Sequence, residues 1–172
     1  FLMGYCGEQG IGMSFYTEYG KFLARVQGKQ SGNVLLRRAQ YRWADDGEKS
    51  TSISRLIEAA KIANARSVLM RELRNHGDNA SLQSAAKKLA TSIRRAQNAA
   101  SVEEVMGMEG DAANSYFAVF NELIRGSGFE FGGRVRRPPT DPVNAMLSFA
   151  YSLVTNEAAS ALQGIGLDPY VG

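Results

Sequence analysis

Between Ser101 and Ile124 the apolar positions are Val102, Val105, Met106, Ala112, Ala113, Tyr116, Phe117, Phe120, Leu123 and Ile124. They recur at the i, i+3, i+4, i+7 interval of one helix face, so the pattern predicts a single amphipathic helix over this stretch. A carboxylate fills the one gap in the stripe: Glu109 follows Met106 by three residues and precedes Ala112 by three. A second helical stripe is Val143, Met146, Leu147, Ala150, Val154, Ala158, Ala161 and Leu162, bordered by Tyr151 and interrupted by Glu157, which reads as an ion-pair or helix-packing residue. A third, Ile53, Leu56, Ile57, Ala60 and Ala63, then Val68, Leu69 and Leu73, predicts a long helix ending at His76-Gly77. His76 there reads as a dipole-compensating surface residue.

Start and stop signals divide the rest. Residues 1–6 read as the tail of a helix or turn ended by Gly7, and residues 12–17 and 21–26 as short strands joined by Glu18-Tyr19-Gly20. A lone hairpin is marginal in water. The strands are therefore expected to complete a sheet lying before Phe1, and the chain to be cut there and again at its apolar end near Gly172. Gly28-Lys29-Gln30-Ser31-Gly32 reads as a linker, and everything after it as helical. Asn33 to Trp43 is a short basic helix broken by Asp45-Asp46-Gly47. Thr51 or Ser52 is the expected cap of the long helix, and Asn79 or Ser81 of the next, which runs to about Ala100. Ser101-Val102-Glu103-Glu104 is a capping box. Gly126 to Pro139 is a loop, after which Thr140 caps a helix with Asp141 and Pro142 in its first turn.

Composition narrows the class. The 172 residues are 44% hydrophobic and 22% charged, as in a water-soluble globular chain, with no apolar run near the ~18–20 residues of a membrane span. One cysteine, Cys6, forms no internal disulfide and points to a reducing, cytoplasmic setting. With one histidine and no CxxC, a metal site built from this chain relies on carboxylates. The net charge of +3 matters less than its clustering at Arg37-Arg38-Arg42, at Arg94-Arg95 and in the loop at Arg134, Arg136 and Arg137. Like charges on a Gly- and Pro-flanked loop point to a phosphate-bearing partner. For Arg94-Arg95 a solvated face is as good a reading, and Arg137 has the alternative of pairing with Asp141.

Glu109 carries the sharpest chemistry. A carboxylate turned into a core needs an arginine, a shared proton or a divalent cation to offset its burial. Gly107 and Gly110 flank it, each costing up to ~1 kcal/mol of helix stability relative to Ala. Such glycines fit a site where a ligand or another backbone approaches closely. A salt-bridged structural carboxylate and a functional one both remain open on these grounds.

Several segments together resemble one family. They are Gly107-Met108-Glu109-Gly110 with Ala112-Ala113 and Tyr116-Phe117; Arg134-Val135-Arg136-Arg137-Pro138-Pro139-Thr140-Asp141-Pro142-Val143-Asn144-Ala145-Met146-Leu147-Ser148-Phe149; Gly166-Leu167-Asp168-Pro169-Tyr170-Val171-Gly172; and residues 31–41. In this order and spacing they resemble the CRISPR-associated integrase/endonuclease of spacer acquisition, the larger protein of the adaptation complex, with a type I-C-like flavour.

The resemblance implies a mainly α fold. Residues 1–30 would end an N-terminal β domain with its last hairpin, and residues 31–172 would form an all-helical catalytic domain, incomplete at its C-terminus. It implies a DNA endonuclease/integrase that uses Mg2+ or Mn2+ and joins a captured protospacer to the CRISPR repeat in antiviral defence. It implies a prokaryotic cytoplasmic homodimer assembled with the small partner protein, away from membranes. Of the family's Glu, His and Asp metal ligands only the Glu maps here, onto Glu109, so residues 1–172 alone are expected to be inactive. Arg134, Arg136 and Arg137, with Tyr151 and Asn144, are the implied DNA contacts. Asn144 reads as an orienting group, and Tyr151 as either a site residue or core. The alternatives are a non-catalytic helical DNA-binding or scaffold module, and a helical protein-interaction domain in which Glu109 is simply salt-bridged.

Overall fold

The structure, a computed structural model, describes residues 1–18, 22–26, 28, 33–126 and 128–171. Most of the expected hairpin connection (Tyr19, Gly20) and of the linker (Lys29, Gln30, Ser31, Gly32), with the domain boundary placed there, lies outside the described residues, as does Gly172. The elements are α1 (Leu2–Glu8), β1 (Met13–Tyr16), β2 (Phe22–Val26), α2 (Val34–Ala44), α3 (Gly47–His76), α4 (Ala80–Gln97), α5 (Val102–Phe117), a 3-10 turn (Phe120–Leu123) and α6 (Pro142–Gly164). Among the described residues the fold is mainly α with one antiparallel pair of strands, as the resemblance implied. None of these helices is long and apolar enough to cross a membrane. The chain divides into two compact units: Phe1–Asp45 with Ala145–Gly172, and Asp46–Asn144.

The Asp46–Asn144 unit is built on three helices. Asp46 starts α3 by accepting hydrogen bonds from the Glu48 and Lys49 amides. The expected start at Thr51 or Ser52 is therefore a turn too late, and Thr51 lies buried inside the helix. Gly77 ends it at φ +87°, a conformation that favours glycine, with its N–H on the Leu73 carbonyl. Asn79 starts α4, and Ser101 starts α5 by accepting from the Glu104 amide. The Glu104 carboxylate reaches back one residue further than in a standard capping box, to the Ala100 amide. The predicted Ser101–Ile124 helix is interrupted: α5 stops at Phe117 and the chain resumes as the 3-10 turn.

Ile62 and Leu69 of α3, Leu82, Ala85, Ala86, Leu89 and Ala96 of α4, and Ala112 of α5 make the core. Small alanines between the leucines let the helices approach closely. The spacing 82, 85, 86, 89, 96 is a plain helical stripe. α3 departs from expectation. Its buried face carries Thr51, Glu58, Ala59, Ile62 and Leu69, while Ile53, Leu56 and Ile57 are exposed. The helix is apolar on two opposite sides, and the side the core uses is disguised by two polar residues.

In the other unit, β1 and β2 pair with Met13 opposite Val26 and Phe15 opposite Ala24, with a register shift between Phe15 and Tyr16. α1 continues one residue past Gly7. A Cβ on Gly28 would collide with the Gly7 carbonyl, so two backbones touch there as only glycine allows. Arg25 of β2 donates to the Asn156 carbonyl at 2.7 Å and to Gln163 Oε1 at 3.0 Å on α6. The stripe expected to be buried on α6 is mostly open: Met146, Ala150, Val154, Ala158 and Ala161 are exposed, and the only buried residue of the helix is the polar Asn144. Periodicity marks a face that suits burial, but among the described residues nothing covers it. Glu157 is exposed as well.

Candidate active site

The core-facing side of α5 is Val105, Met108, Ala112 and Tyr116. Glu109 lies at the margin of that face, with its side chain 46% exposed, and Met106 is exposed. The expectation of a buried Glu109 is therefore corrected. The buried carboxylate belongs to Glu58 on α3, 6% exposed, which the sequence pattern did not single out. The two are linked. Lys61, one turn along α3 from Glu58, places its ammonium 3.3 Å from Glu58 Oε2 and in contact with Glu109 Oε1. Burial pushes the Glu58 carboxyl up, against the opposing pull of Lys61. Burial of the Lys61 ammonium pulls its pKa down, but the Glu109 hydrogen bond and the two negative charges outweigh that, and it ends raised. The group offsetting the carboxylate is thus a lysine, an answer absent from the three expected.

A Cβ on Gly107 or Gly110 would meet nothing within 4 Å. The close approach those glycines suit is therefore not made by any described part of the chain. Arg95 and Asp111 stand 4.0 Å apart on the surface, a pair of little energetic weight. His76, at the end of α3, faces Glu72 at 3.8 Å. Among the described residues no three His, Cys, Asp or Glu side chains come together as a metal cluster. Glu58 and Glu109 are hard oxygen donors and fit Mg2+ or Mn2+ in kind, but not in number.

The basic loop is held at two points. Phe131 packs its ring against Phe117 and Phe120, with centroids 5.8 and 4.9 Å away, and donates its amide to Asn121 Oδ1. Asn144 holds the other end. Its Nδ2 donates to the Gly133 carbonyl at 2.8 Å and to Asp141 Oδ2 at 2.6 Å, and its Oδ1 accepts from Arg134 Nη1 and from the Val135 amide, both at 2.9 Å. Its own amide donates to Asp141 Oδ1 at 2.8 Å, so Asp141 and not Thr140 starts α6. Hydrogen bonds from Asn144 hold the Asp141 carboxyl below its usual range.

All four side-chain bonding positions of the fully buried Asn144 are used. It shapes the loop and presents no free edge to a partner. Arg134 is half-buried against it. Arg136 and Arg137 are exposed, and Asp141 takes Asn144 and not Arg137 as its partner. Tyr151 is exposed on the part of α6 that belongs to the other unit. In that unit two of the segments carrying the family resemblance meet. Gln40 of α2 exchanges hydrogen bonds with the Asp168 backbone at 2.8 Å each way, Tyr41 donates to Asp168 Oδ2 at 2.7 Å, and Arg37 donates to the Gly166 carbonyl at 3.2 Å.

The structure thus presents a half-exposed carboxylate on a helix face and, separately, an arginine loop clasped by Asn144, in a mainly α chain. The family model described as CRISPR associated protein Cas1 matches residues 1–172, and the chain belongs to that family. A relative named CRISPR-associated endonuclease Cas1 1, from Chlorobaculum tepidum, is 48% identical over 100% of this chain and 52% of its own length. A Cas1 protein from Thermotoga maritima superposes with TM-score 0.77 at 24% identity, over 99% of this chain and 52% of the other. A casposase bound to integration product superposes with TM-score 0.79 at 22% identity, over 99% and 47%. At those identities the two structures speak for the fold alone. The chain spans about half the length of the curated relatives it matches.

Proposed function

We propose that this chain is the helical catalytic part of a CRISPR spacer integrase, and that Glu109 is its catalytic carboxylate and one ligand of a divalent cation. The observation that carries the reading is the placement of Glu109: half-exposed, at the edge of the core, between two glycines with open space around them. Membership of a family whose relatives are named endonucleases supports DNA as the partner. When bound, Mg2+ or Mn2+ supplies Lewis-acid polarisation of a phosphodiester and a more acidic attacking hydroxyl.

The residues of the chain do the rest. Glu109, with Glu58 behind Lys61, offers oxygens of the right hardness. They are fewer than such an ion takes, so this reading expects further donors from outside the described residues. Arg136 and Arg137 hold backbone phosphates, which position a strand without reading its sequence. Asn144 and Phe131 keep their loop in one shape. A homodimer and a small partner protein complete the assembly in this reading.

The test uses the full encoded chain with labelled duplex DNA carrying free 3′ hydroxyls. Glu109→Gln is expected to abolish strand joining while retaining most DNA binding. Joining at the wild-type rate by that variant overturns the assignment.

A further inference from the structure

Arg25 of β2 is a half-buried cation whose acceptors among the described residues are all neutral. It donates to Gln163 Oε1 at 3.0 Å, to the Asn156 carbonyl at 2.7 Å and to Asn156 Oδ1 at 3.2 Å. Its Nε is buried and has no acceptor at all among those residues. A charge drawn out of water without a counter-charge, and with one donor unmet, is costly, and an anion beside it offsets that cost. Arg25 stands in the wall of a cleft of about 810 Å3 between β2 and α6, inside the unit Phe1–Asp45 with Ala145–Gly172. Phe22, Val154, Ala158, Leu162 and Pro169 give that cleft apolar walls, and Arg25 is the only charged residue among the described ones that line it.

The apolar surface continues past the cleft. Val154 and Ala158 belong also to the open stripe of α6, which begins at Met146. α6 carries no basic residue, and its single acid is Glu157. From Met146 to Leu162 the strip is about 24 Å long, at 1.5 Å per residue. That length suits a polypeptide helix of about four turns and exceeds what a small ligand covers. A nucleic acid does not suit it, because one arginine in an apolar surface cannot neutralise a row of phosphates.

We propose that the cleft and the open stripe of α6 form the docking surface for an amphipathic helix of a partner protein, with its apolar face toward α6 and one carboxylate seated at Arg25. Exposed apolar surface of this extent marks a protein contact, and a helix laid into an apolar groove is a recurrent form of it. The stripe alone accepts any apolar helix. Arg25 makes the surface selective, since a helix without the acid leaves the guanidinium buried and uncompensated. The inference does not rest on the reading of Glu109.

The experiment is fluorescence anisotropy of the full encoded chain with labelled model helices of about 16 residues, leucine and alanine on one face and glutamine on the other. One helix carries a single Glu at the middle of its apolar face, and its control carries Gln there. Wild type is expected to bind the Glu helix about ten- to hundredfold more tightly than the control, as a charge-assisted hydrogen bond implies. Arg25→Gln brings the two within about twofold, while Arg25→Lys keeps the preference for Glu. Ala158→Trp fills the cleft with Arg25 in place and weakens the Glu helix at least about tenfold.

If Arg25→Gln is unfolded by circular dichroism because β2 has lost its tie to α6, Ala158→Trp and the control helix decide. Equal binding of the two helices by wild type overturns the proposal. So does binding of neither, with the stripe then covered by the rest of the encoded chain or by a second copy detected in sedimentation velocity.

Discussion

Glu58 and Glu109 close on the same ammonium, the first from the buried face of α3 and the second from the margin of α5. The burial that the sequence pattern assigned to Glu109 thus belongs to Glu58. Glu58 has the cost of desolvation, and Glu109 has the exposure that a catalytic group needs.

The division has a pH signature. Burial raises the Glu58 carboxyl, so over the interval above the ordinary glutamate value the folded chain holds a proton that the unfolded chain has lost. Stability from this group is complete at low pH and is lost as pH rises through the raised value. Glu58→Gln has no such titration. Urea melts at about pH 4 and about pH 7 should show the variant gaining on wild type as pH rises. A constant difference, or one growing in favour of wild type, removes burial as the dominant influence on Glu58.

Asn144 concentrates the order of the basic loop in one side chain. Asn144→Ala strands the Gly133 carbonyl and the Val135 amide, and should cost about 2–4 kcal/mol in urea melts. Trypsin should cut after Arg134 and Arg136 sooner in the variant than in wild type under conditions where both are folded. Equal cutting would show that the Phe131 anchor alone holds the loop.

How far the sequence disclosed this arrangement depended on the kind of signal. Asn79, Ser101 and Gly77 were legible because a cap is a local match between one side chain and its neighbouring amides or carbonyls. The buried face of α3 was not, since Leu56 and Ile57 advertise the opposite side and Thr51 and Glu58 disguise the correct one. The contact of Lys61 with Glu109 has no sequence signature, because it joins two helices by their packing alone. The spacing of Glu58 four residues before Ile62 and seven after Thr51 was the one available hint.

Gly107 and Gly110 should separate stability from function. Neither position is crowded, so Gly107→Ala and Gly110→Ala should each stabilise α5, by about 0.5–1 kcal/mol in thermal melts. If the open face receives a DNA backbone, both variants lose strand joining while melting higher. Unchanged joining by two stabilised variants would leave the glycines without a functional reason.

Arg136 and Arg137 are exposed near the C-terminal end of a held loop and should contribute through charge alone. Replacing both by Ala should weaken binding of duplexes of any sequence. The slope of log affinity against log salt should fall by about 0.9 for each phosphate that the variant no longer neutralises. Weakening confined to particular sequences would contradict a backbone role.

The most direct test is crystallography of the full encoded chain soaked in Mn2+, with anomalous scattering used to locate the ion. The account predicts an anomalous peak at the Glu109 carboxylate. A fully loaded ion elsewhere, with none at Glu109, would contradict it.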